Sequence, residues 1–495
     1  MLKKYNEIVK HFDINIKSLE ESIKDYVFDI AREMMCIALE EIDASILSKI
    51  DPGVFDNRGL KKTSVRTLFG SVEFQRRRYE LEEAEDKPAE GKVSVFLLDA
   101  VLGLNEIGKI SIGLLERIIN LTTEMSFEKA AKNLSKETGE YISGTTLWDV
   151  TQKYGRQELL RQEKETEKLK EKKESAGEKK KPEVLFVEAD GIHINLQGED
   201  RKKHGKTKEM KVAVTYEGWK ERYRGKKEAY VTTEKKAVAG FEAIEEFALK
   251  LEAKIRKHYA FDDIETVILG GDGGSWIKKV LGDRAYHFQL DKFHLARKIT
   301  RSISDKKSVK EIRVLIEEDK IDDAVKRIEQ EKYDCGGEEK EVKKLQELQS
   351  YLKENKHGLV PWKERKTISV GDAPEGLDYR DLGTMEHNVC DLIRLRMKKN
   401  KTSWSVDGAS NMAALRCMKM TEGLHIGTYG AGNAGLPERY QDIFEVLIEN
   451  KFNMRLKNTG KTYDVQRGGM PFRGEANTPY RKAVRDMIGR SGLKF

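Results

Sequence analysis

The chain has 495 residues, 36% of them charged, and its 92 lysine and arginine residues against 85 aspartate and glutamate residues leave a net charge of only +7. This mild charge excludes a protein that is basic throughout, so any attraction to nucleic acid must come from local patches. The four cysteines form no CxxC pair, and the sequence has neither a signal peptide nor an apolar run of roughly 18 residues. We therefore expect a soluble cytoplasmic protein without a disulfide framework, a structural zinc site or a membrane span.

Residues 1–120 predict a mainly helical N-terminal region that contains one β-hairpin. Apolar residues recur at intervals of three and four up to about residue 50, which is typical of a helix. The segment "SVRTLFGSVEFQRRRYE" then alternates like two short strands around Phe69-Gly70. Its second strand ends in Arg76, Arg77 and Arg78, which fit either a solvated edge that blocks sheet extension or a ribbon that contacts phosphates.

Residues 121–160 have the spacing of a helix-turn-helix. In "MSFEKAAKNLSKETGEYISGTTLWDV", apolar residues share one face of a first helix, Gly139 permits a turn, and Ser143 is a candidate N-cap for a second helix. Ser143, Thr145 and Thr146 would lie where such a motif contacts DNA, although helical pairs without that function are common. The almost purely charged residues 161–182 follow, and we interpret them as a solvated linker or an exposed helix.

Residues 183–303 change to strand patterns. "EVLFVEAD", "MKVAVTYEGW" and "EAYVTT" are three consecutive strand candidates, followed by helix, strand, helix turn, strand and helix. This is the order of a ribonuclease H-like α/β domain; a doubly wound nucleotide-binding domain would require a glycine-rich loop after its first strand. We expect residues 304–380 to form a helical insertion, residues 381–422 to complete the domain, and the basic, glycine-rich tail 423–495 to be extended or poorly ordered.

Three acidic residues stand where a strand or helix meets a turn: Asp190, Asp272 and Glu386. Each has an ordinary structural explanation, as a turn residue or as an acid near a helix N-terminus. Together, in the predicted fold, they suggest a site for two divalent cations, because phosphoryl transfer on nucleic acid uses carboxylates that hold such a pair about 4 Å apart. Auxiliary candidates are Glu188, on the strand face of Asp190, and Asp291 with His294, which also fit a helix N-cap with a solvated histidine.

Five motifs in order resemble one known family: "VEADGIHINLQ", "VAVTYEGW", "GGDGGSWIKK", "LDKFHLARK" and "GTMEHNV" with the following "RMKKNKTSWSVDGASNM". They are similar to those of the ISLre-type bacterial insertion-sequence transposases, a group related to the Mutator-like transposases and also known as an uncharacterised protein family. The N-terminal "RTLFGSVEFQRRRYE" and "EMSFEKAAKNLS" extend the resemblance over nearly the whole chain up to about Lys419.

The resemblance implies an Asp-Asp-Glu transposase in which Asp190, Asp272 and Glu386 hold two Mg²⁺ or Mn²⁺ ions. Such an enzyme would bind the terminal inverted repeats of its element and target DNA as double strands, act as a homo-oligomer on paired ends, and be associated with the bacterial nucleoid. Besides the hairpin and helix-pair residues above, the candidate phosphate contacts are Lys202, Lys203, Lys206, Lys208, Arg394, Arg396, Lys398 and Lys399.

Two alternatives to a transposase stay open at the level of sequence. One is a DNA-binding protein without catalysis, either a decayed or a domesticated copy that keeps the fold. The other is a metal-dependent nuclease that hydrolyses DNA without strand transfer, since both reactions use the same carboxylates and differ in the nucleophile.

Overall fold

The computed structural model describes residues 15–81, 93–104, 109–171, 179–224, 227–334 and 338–423. The chain divides into two compact units, Met1–Gly435 and Leu436–Phe495, and every described residue belongs to the first. The predicted tail lies outside the described residues from position 424 onward. Among the described helices, none is long and apolar enough to cross a membrane.

The N-terminal region contains the predicted hairpin beneath a long helix. Helix α1 (Ile16–Leu47) is followed by strands β1 (Asp56–Thr67) and β2 (Gly70–Leu81), which pair antiparallel, and by β3 (Val93–Val95) and helix α2 (Leu97–Val101). Gly70 is the first residue of β2, directly after the two-residue turn, and has φ +101°, a conformation that glycine adopts without a Cβ penalty. The hairpin prediction is confirmed, and its strands extend beyond the predicted segment.

The arginines of this hairpin are engaged inside the protein. Arg76 is buried and its guanidinium donates to both carboxylate oxygens of Asp99, at 2.5 and 2.7 Å. Arg77 pairs with the buried Asp43 of α1 at 2.5 Å, and half-exposed Arg78 lies 3.4 Å from Glu80. The interpretation of Arg76 as a solvated edge or a phosphate contact is therefore wrong, because its side chain is buried and its charge is paired with Asp99.

Three helices come next: α3 (Ile112–Glu124), α4 (Phe127–Thr138) and α5 (Gly144–Lys170). Helix α4 ends at Gly139, which has the left-handed φ of +72°, and the Ser143 hydroxyl accepts a hydrogen bond from the Thr146 backbone N–H at the start of α5. These ends confirm the predicted helix pair. Helix α5 continues through the charged segment to Lys170, with Glu158 and Gln162 buried, so the first part of that segment is a packed helix.

The second half of the chain is built on a mixed five-stranded sheet. Its strands are β4 (Val184–Asn195), β5 (Thr207–Tyr216), β8 (Lys236–Gly240), β9 (Thr266–Gly271) and β10 (His287–Leu290), arranged in the order β10-β9-β4-β5-β8. Strands β4, β5 and β8 pair antiparallel, whereas β4 with β9 and β9 with β10 are parallel. The short helix α6 (Gly198–His204) lies between β4 and β5.

The third strand of the sheet differs from the sequence prediction. The predicted "EAYVTT" lies in a separate two-stranded hairpin, β6 (Trp219–Arg224) with β7 (Lys227–Thr232). The sheet instead takes "KAVAG" (Lys236–Gly240), which follows that segment after two intervening residues, as β8. All five positions of β8 are buried, so this strand lacks the alternation of polar and apolar residues that identifies a half-exposed strand.

Helices cover both faces of the sheet. Helix α7 (Ile244–His258) packs Phe247, Leu251 and Ile255 on one face, and the other face meets the C-terminal helices. Those are α13 (Met385–Val389), a π-helix (Cys390–Lys398) and α14 (Val406–Glu422). Leu415 and Met418 of α14 also belong to the core of α3, α4 and α5, so one helix joins the N-terminal helices to the sheet.

A helical insertion lies between β10 and α13, as predicted. After α8 (Lys292–Ser302) come α9 (Lys306–Glu317), α10 (Ile321–Asp334), α11 (Glu339–Glu354) and the short α12 (Lys356–Leu359). Their apolar faces share one cluster that includes Leu290 at the end of β10 and Leu295 and Ile299 of α8. The highly charged helices therefore pack onto the edge of the sheet that holds the candidate site.

The Arg76–Asp99 pair yields a stability prediction. Removing one partner of a buried ion pair leaves an uncompensated charge, so Asp99→Ala should lower the free energy of unfolding by about 3–5 kcal/mol. The control is Glu73→Ala in the same hairpin, where the Lys62–Glu73 pair is 70% and 65% exposed and should contribute less than about 1 kcal/mol. Urea unfolding followed by circular dichroism measures both, and equal losses would contradict the buried role of Arg76.

Candidate metal centre

Two aspartates lie at the same level on neighbouring parallel strands. In the pairing of β4 with β9, Glu188 stands opposite Gly270. Asp190 and Asp272 each follow two residues later, so both reach the edge of the sheet where β9 ends. Asp272 is held in a turn, with its Oδ1 accepting from the Gly274 N–H at 2.8 Å and its backbone carbonyl accepting from the Tyr351 hydroxyl at 2.7 Å.

The third parallel strand brings a histidine to the same edge. β10 ends at Leu290, and Asp291 then caps α8 by accepting from the backbone N–H groups of Phe293 and His294 at 2.8 and 2.9 Å. The N-cap interpretation of Asp291 is confirmed. His294 differs from the solvated histidine of that interpretation, because its ring is partly buried and faces the two aspartates.

Glu386 arrives from the far end of the chain on α13. Its carboxylate is 56% exposed, and its Oε1 lies 3.1 Å from the Arg394 guanidinium. Four residues farther along α13 and the π-helix line the same cavity as Glu386: Val389, Cys390, Arg394 and Lys398. A π-helix in this position fits the frequent occurrence of such turns at functional sites.

These side chains enclose one cavity of about 480 Å³. Asp190, His294 and Glu386 each offer a ligand atom, and the three atoms lie within 4.8 Å of one another. Asp272 lines the same cavity. Two or three carboxylates with one imidazole suit a divalent cation such as Mg²⁺ or Mn²⁺, so the residues present fit the metal that the sequence predicts.

The cavity perturbs the ionisation of Asp190. Partial burial is the main cause that raises the pKa of this carboxyl to about 6, and the nearby Asp272 and Glu386 carboxylates add to the effect. The Gly191 N–H, which donates to Asp190 Oδ1 at 2.7 Å, and the charge of His294 oppose it. A carboxyl whose pKa is raised by burial and like charges is a common feature of functional sites.

Glu188 does not lie where it could act as a ligand of a cation in this cavity. It is buried beneath α13, outside the residues that line the cavity, and burial raises the pKa of its carboxyl. Its oxygens accept hydrogen bonds from Tyr216, Gly383, Thr384 and Met385. No lysine or arginine is paired with it within the described residues, so neither the ligand nor the salt-bridge interpretation describes its contacts.

The candidate phosphate contacts separate into exposed and buried groups. Arg394 and Lys398 line the cavity, and Lys399 is exposed just beyond it. Arg396 is buried between the rings of Phe127 and Trp404, with its Nε donating to the Thr122 carbonyl at 2.6 Å. Burial lowers the pKa of Arg396 to about 10, and the prediction that Arg396 contacts DNA is wrong.

The remaining polar candidates lie elsewhere on the fold. Lys202, Lys203 and Lys206 are exposed on and after α6, and half-buried Lys208 lies over the Phe241 ring. At the start of α5, Thr145 is exposed, whereas the hydroxyls of Ser143 and Thr146 bond to each other at 2.9 Å. Ser143 and Thr146 thus support the helix end, and Thr145 is the residue of the three that is open to a partner.

The structure also adds cavity residues that sequence reasoning missed. Glu209 and His193 face each other across the β4–β5 pair, and Arg297 follows His294 on α8. A Cβ at Gly191 would lie 2.1 Å from Glu209 Oε1, so the absence of a side chain at Gly191 lets Glu209 approach. Glu209 stands in the alternating pattern of β5, where an exposed glutamate has no distinctive signal.

Fold and site together define an α/β protein with a carboxylate–histidine cluster at the edge of a mixed sheet. The chain belongs to the Uncharacterised protein family (UPF0236), whose model matches residues 10–429. A UPF0236 protein of Caldanaerobacter subterraneus subsp. tengcongensis is 24% identical over 488 residues, covering 94% of this chain and 93% of the relative. The name of that relative joins eleven locus designations of one genome.

Two further relatives belong to the same family. A second UPF0236 protein of Caldanaerobacter subterraneus subsp. tengcongensis is 24% identical over 475 residues, which cover 92% of each chain. A Streptococcus gallolyticus protein, named as the UPF0236 protein in the vanSb 3′ region, is 25% identical over 418 residues, covering 81% of this chain and 82% of the relative. The similarity therefore spans both the N-terminal region and the sheet.

The pKa of Asp190 predicts how the metal-free protein responds to pH. Because the folded-state pKa of about 6 exceeds the unfolded value of about 3.9, the contribution of Asp190 to stability is full below pH 4 and is lost as the pH rises through 6. Asp190→Asn keeps an acceptor for the Gly191 N–H but cannot ionise. In EDTA it should be more stable than the parent protein by about 1–3 kcal/mol at pH 7.5, with little difference at pH 4.

Urea unfolding at the two pH values measures this difference. The control is Asp283→Asn, which removes an exposed carboxylate outside the cavity and should show no such gain at pH 7.5. A parent protein more stable than Asp190→Asn at pH 7.5 in EDTA would contradict the assigned environment of Asp190.

Proposed function

We propose that this protein is a DNA transposase of a bacterial insertion sequence, which binds the ends of its element and catalyses metal-dependent strand cleavage and strand transfer. The observation that supports this most strongly is the meeting of Asp190, Asp272 and Glu386 in one cavity, although they are far apart in the sequence. Clustered carboxylates of this kind suit the two-cation chemistry of phosphodiester cleavage.

The sheet supports the finer assignment of a ribonuclease H-like fold. Numbered along the chain, the five strands lie in the order 5-4-1-2-3, with the first three antiparallel and the last two parallel to the first. This is the order expected of that fold, with the aspartates on strands one and four. The helical insertion falls just before Glu386, as the resemblance to ISLre-type transposases implies.

The naming of relatives supports a mobile element. One relative bears eleven locus designations of a single genome and another bears four. One protein name shared by many loci of a genome is typical of a sequence that copies or moves itself. We therefore expect the DNA that flanks the present gene to contain inverted repeats bordered by a short target duplication.

In the proposed mechanism the protein's own residues hold and orient the reacting groups. Asp190, Asp272, Glu386 and His294 would hold the divalent cations. Two bound cations would activate the attacking oxygen and stabilise the leaving oxygen of the scissile phosphate. Asp190 must be deprotonated to act as a ligand, so protons compete with the cation for it, and we expect cation binding to weaken as the pH drops below about 6.

The nucleophiles would be water and then a DNA 3′-hydroxyl, attacking in line without a covalent enzyme intermediate. Arg297, Arg394 and Lys398 line the cavity beside the carboxylates and would contact the phosphates that flank the scissile bond. The exposed lysines of α6 and Thr145 at the start of α5 are candidates for the more distant contacts to element ends.

Neutralising the carboxylates tests the catalytic proposal. Asp190→Asn, Asp272→Asn and Glu386→Gln should each reduce Mg²⁺-dependent cleavage of a fragment carrying the gene's flanking ends by about 10³-fold or more, because each removes a cation ligand. Binding to the same fragment, measured by gel shift in Ca²⁺, should change little. Asp283→Asn, the exposed control, should keep parental cleavage.

The same assay separates the alternatives. Full cleavage by any one of the three variants would exclude that residue from the site. Binding without cleavage by the parent protein would favour the non-catalytic alternative, and cleavage without joining of the 3′ end to a target plasmid would favour a nuclease.

The phosphate contacts predict a change in salt dependence. Lys398→Gln should weaken DNA binding equally for different sequences and lower the slope of log K against log salt by about 1, since one fewer counterion is released. Lys343→Gln, which removes an exposed lysine of α11, is the matched control and should leave the slope unchanged. Fluorescence anisotropy at several salt concentrations measures the slope, and an unchanged value for Lys398→Gln would remove this residue from the interface.

A further inference from the structure

The helix that carries Glu386 begins on a buried carboxylate. Glu188 is 2% exposed, and its Oε2 accepts from the backbone N–H groups of Gly383, Thr384 and Met385 at 3.1, 3.1 and 3.2 Å. Its Oε1 accepts from the Tyr216 hydroxyl at 2.6 Å and from the Thr384 hydroxyl. Glu386 is the next residue along the chain.

We propose that Glu188 is a positioning residue, which places Glu386 against Asp190 by anchoring the start of α13 to strand β4. This role rests on the proposed function, since it concerns the same cation site. Glu188 and Asp190 share one face of β4 and are two residues apart, so the anchor and the first aspartate belong to one rigid strand.

The hydrogen bonds explain why the anchor is a carboxylate. The first N–H groups of a helix have no partner within the helix, and the helix dipole favours negative charge at that end. A single glutamate accepts from the N–H groups of the N-cap Thr384 and of Met385, and also from the preceding Gly383 N–H. Thr384 itself makes no side-chain N-cap bond to the helix. The donors also occupy the lone pairs of both oxygens, which leaves Glu188 no free site for a cation.

The surrounding packing holds the anchor in place. The Glu188 and Leu382 side chains both pack closely over Gly270, since a Cβ at Gly270 would lie 3.1 Å from Glu188 Cγ and from Leu382 Cδ2. A further layer fixes Thr384: its hydroxyl accepts from Asn388 Nδ2 at 3.0 Å, and Asn388 Oδ1 accepts from Lys235 at 2.8 Å. The start of α13 therefore has little freedom to shift relative to β4.

A cation-binding measurement tests this role without DNA. Tb³⁺ is a suitable probe, because Trp276 lines the cavity and can sensitise its luminescence. Glu188→Gln presents an N–H group to donors and should weaken Tb³⁺ binding by about 10–100-fold, the usual effect of losing an outer-shell partner. Glu188→Asp keeps the charge and should recover part of the loss.

A double-mutant cycle distinguishes positioning from other roles. If Glu188 acts only through Glu386, then Glu188→Gln should cost no further affinity in a Glu386→Gln background. A direct ligand, or a purely structural residue, would instead give additive losses, and that result would overturn the proposal. Thr384→Val removes the hydroxyl that donates to Glu188 and accepts from Asn388. It should show the same non-additivity with a smaller loss, which keeps the test decisive if Glu188→Gln fails to fold.

The proposed cation site and the Glu188 role fail in different ways. Luminescence that is absent from the parent protein, or unaffected by Asp190→Asn, would overturn the cation site itself. Luminescence that depends on Asp190 but shows additive losses for Glu188 and Glu386 would overturn only the positioning role. Trp276→Phe should abolish the signal and thereby confirm that it reports on this cavity.

Discussion

The parallel register of β4 with β9 is the constraint on which the rest of the candidate metal centre depends. With Glu188 opposite Gly270, Asp190 and Asp272 reach the same edge of the sheet. A slip by one residue would turn Asp190 to the other face, among the apolar side chains beneath α7. Successive apolar side chains of β4 point to opposite faces of the sheet. They hold this register, because each face packs against its own buried cluster.

The site gathers like charges that a stable protein would ordinarily keep apart. Asp190, Asp272, Glu386 and Glu209 line one cavity, and the pKa of Asp190 is raised mainly by its burial and further by the Asp272 and Glu386 carboxylates. His294, Arg297, Arg394 and Lys398 lie among them and offset part of this charge. Repulsion between the carboxylates is unfavourable in the metal-free protein. A divalent cation would relieve this repulsion, so the same cluster that costs stability would favour cation binding.

The charged residues of this protein fall into two groups, those buried in contacts within the chain and those accessible to solvent. Arg76, Arg396 and Glu188 are buried and bind groups of their own chain, where they join hairpin to helix, helix to helix and helix to strand. Arg394, Lys398 and the lysines of α6 stay within reach of solvent, as phosphate contacts would require. Residue type does not separate the two groups, since a guanidinium suits a buried carboxylate as well as a phosphate.

Turns, caps and periodicity depend on a few neighbouring residues, so the sequence alone determined the local features of this protein. These are the hairpin around Gly70, the helix ends at Gly139 and Ser143, the cap at Asp291 and the three acidic positions. Only the tertiary structure decided that "KAVAG" and not "EAYVTT" completes the sheet, since a fully buried strand has no alternation to read. It also decided that His294 joins the carboxylates, that Arg76 and Arg396 are buried, and that Glu188 anchors α13. Those outcomes depend on contacts between residues far apart in the chain, which no local pattern contains.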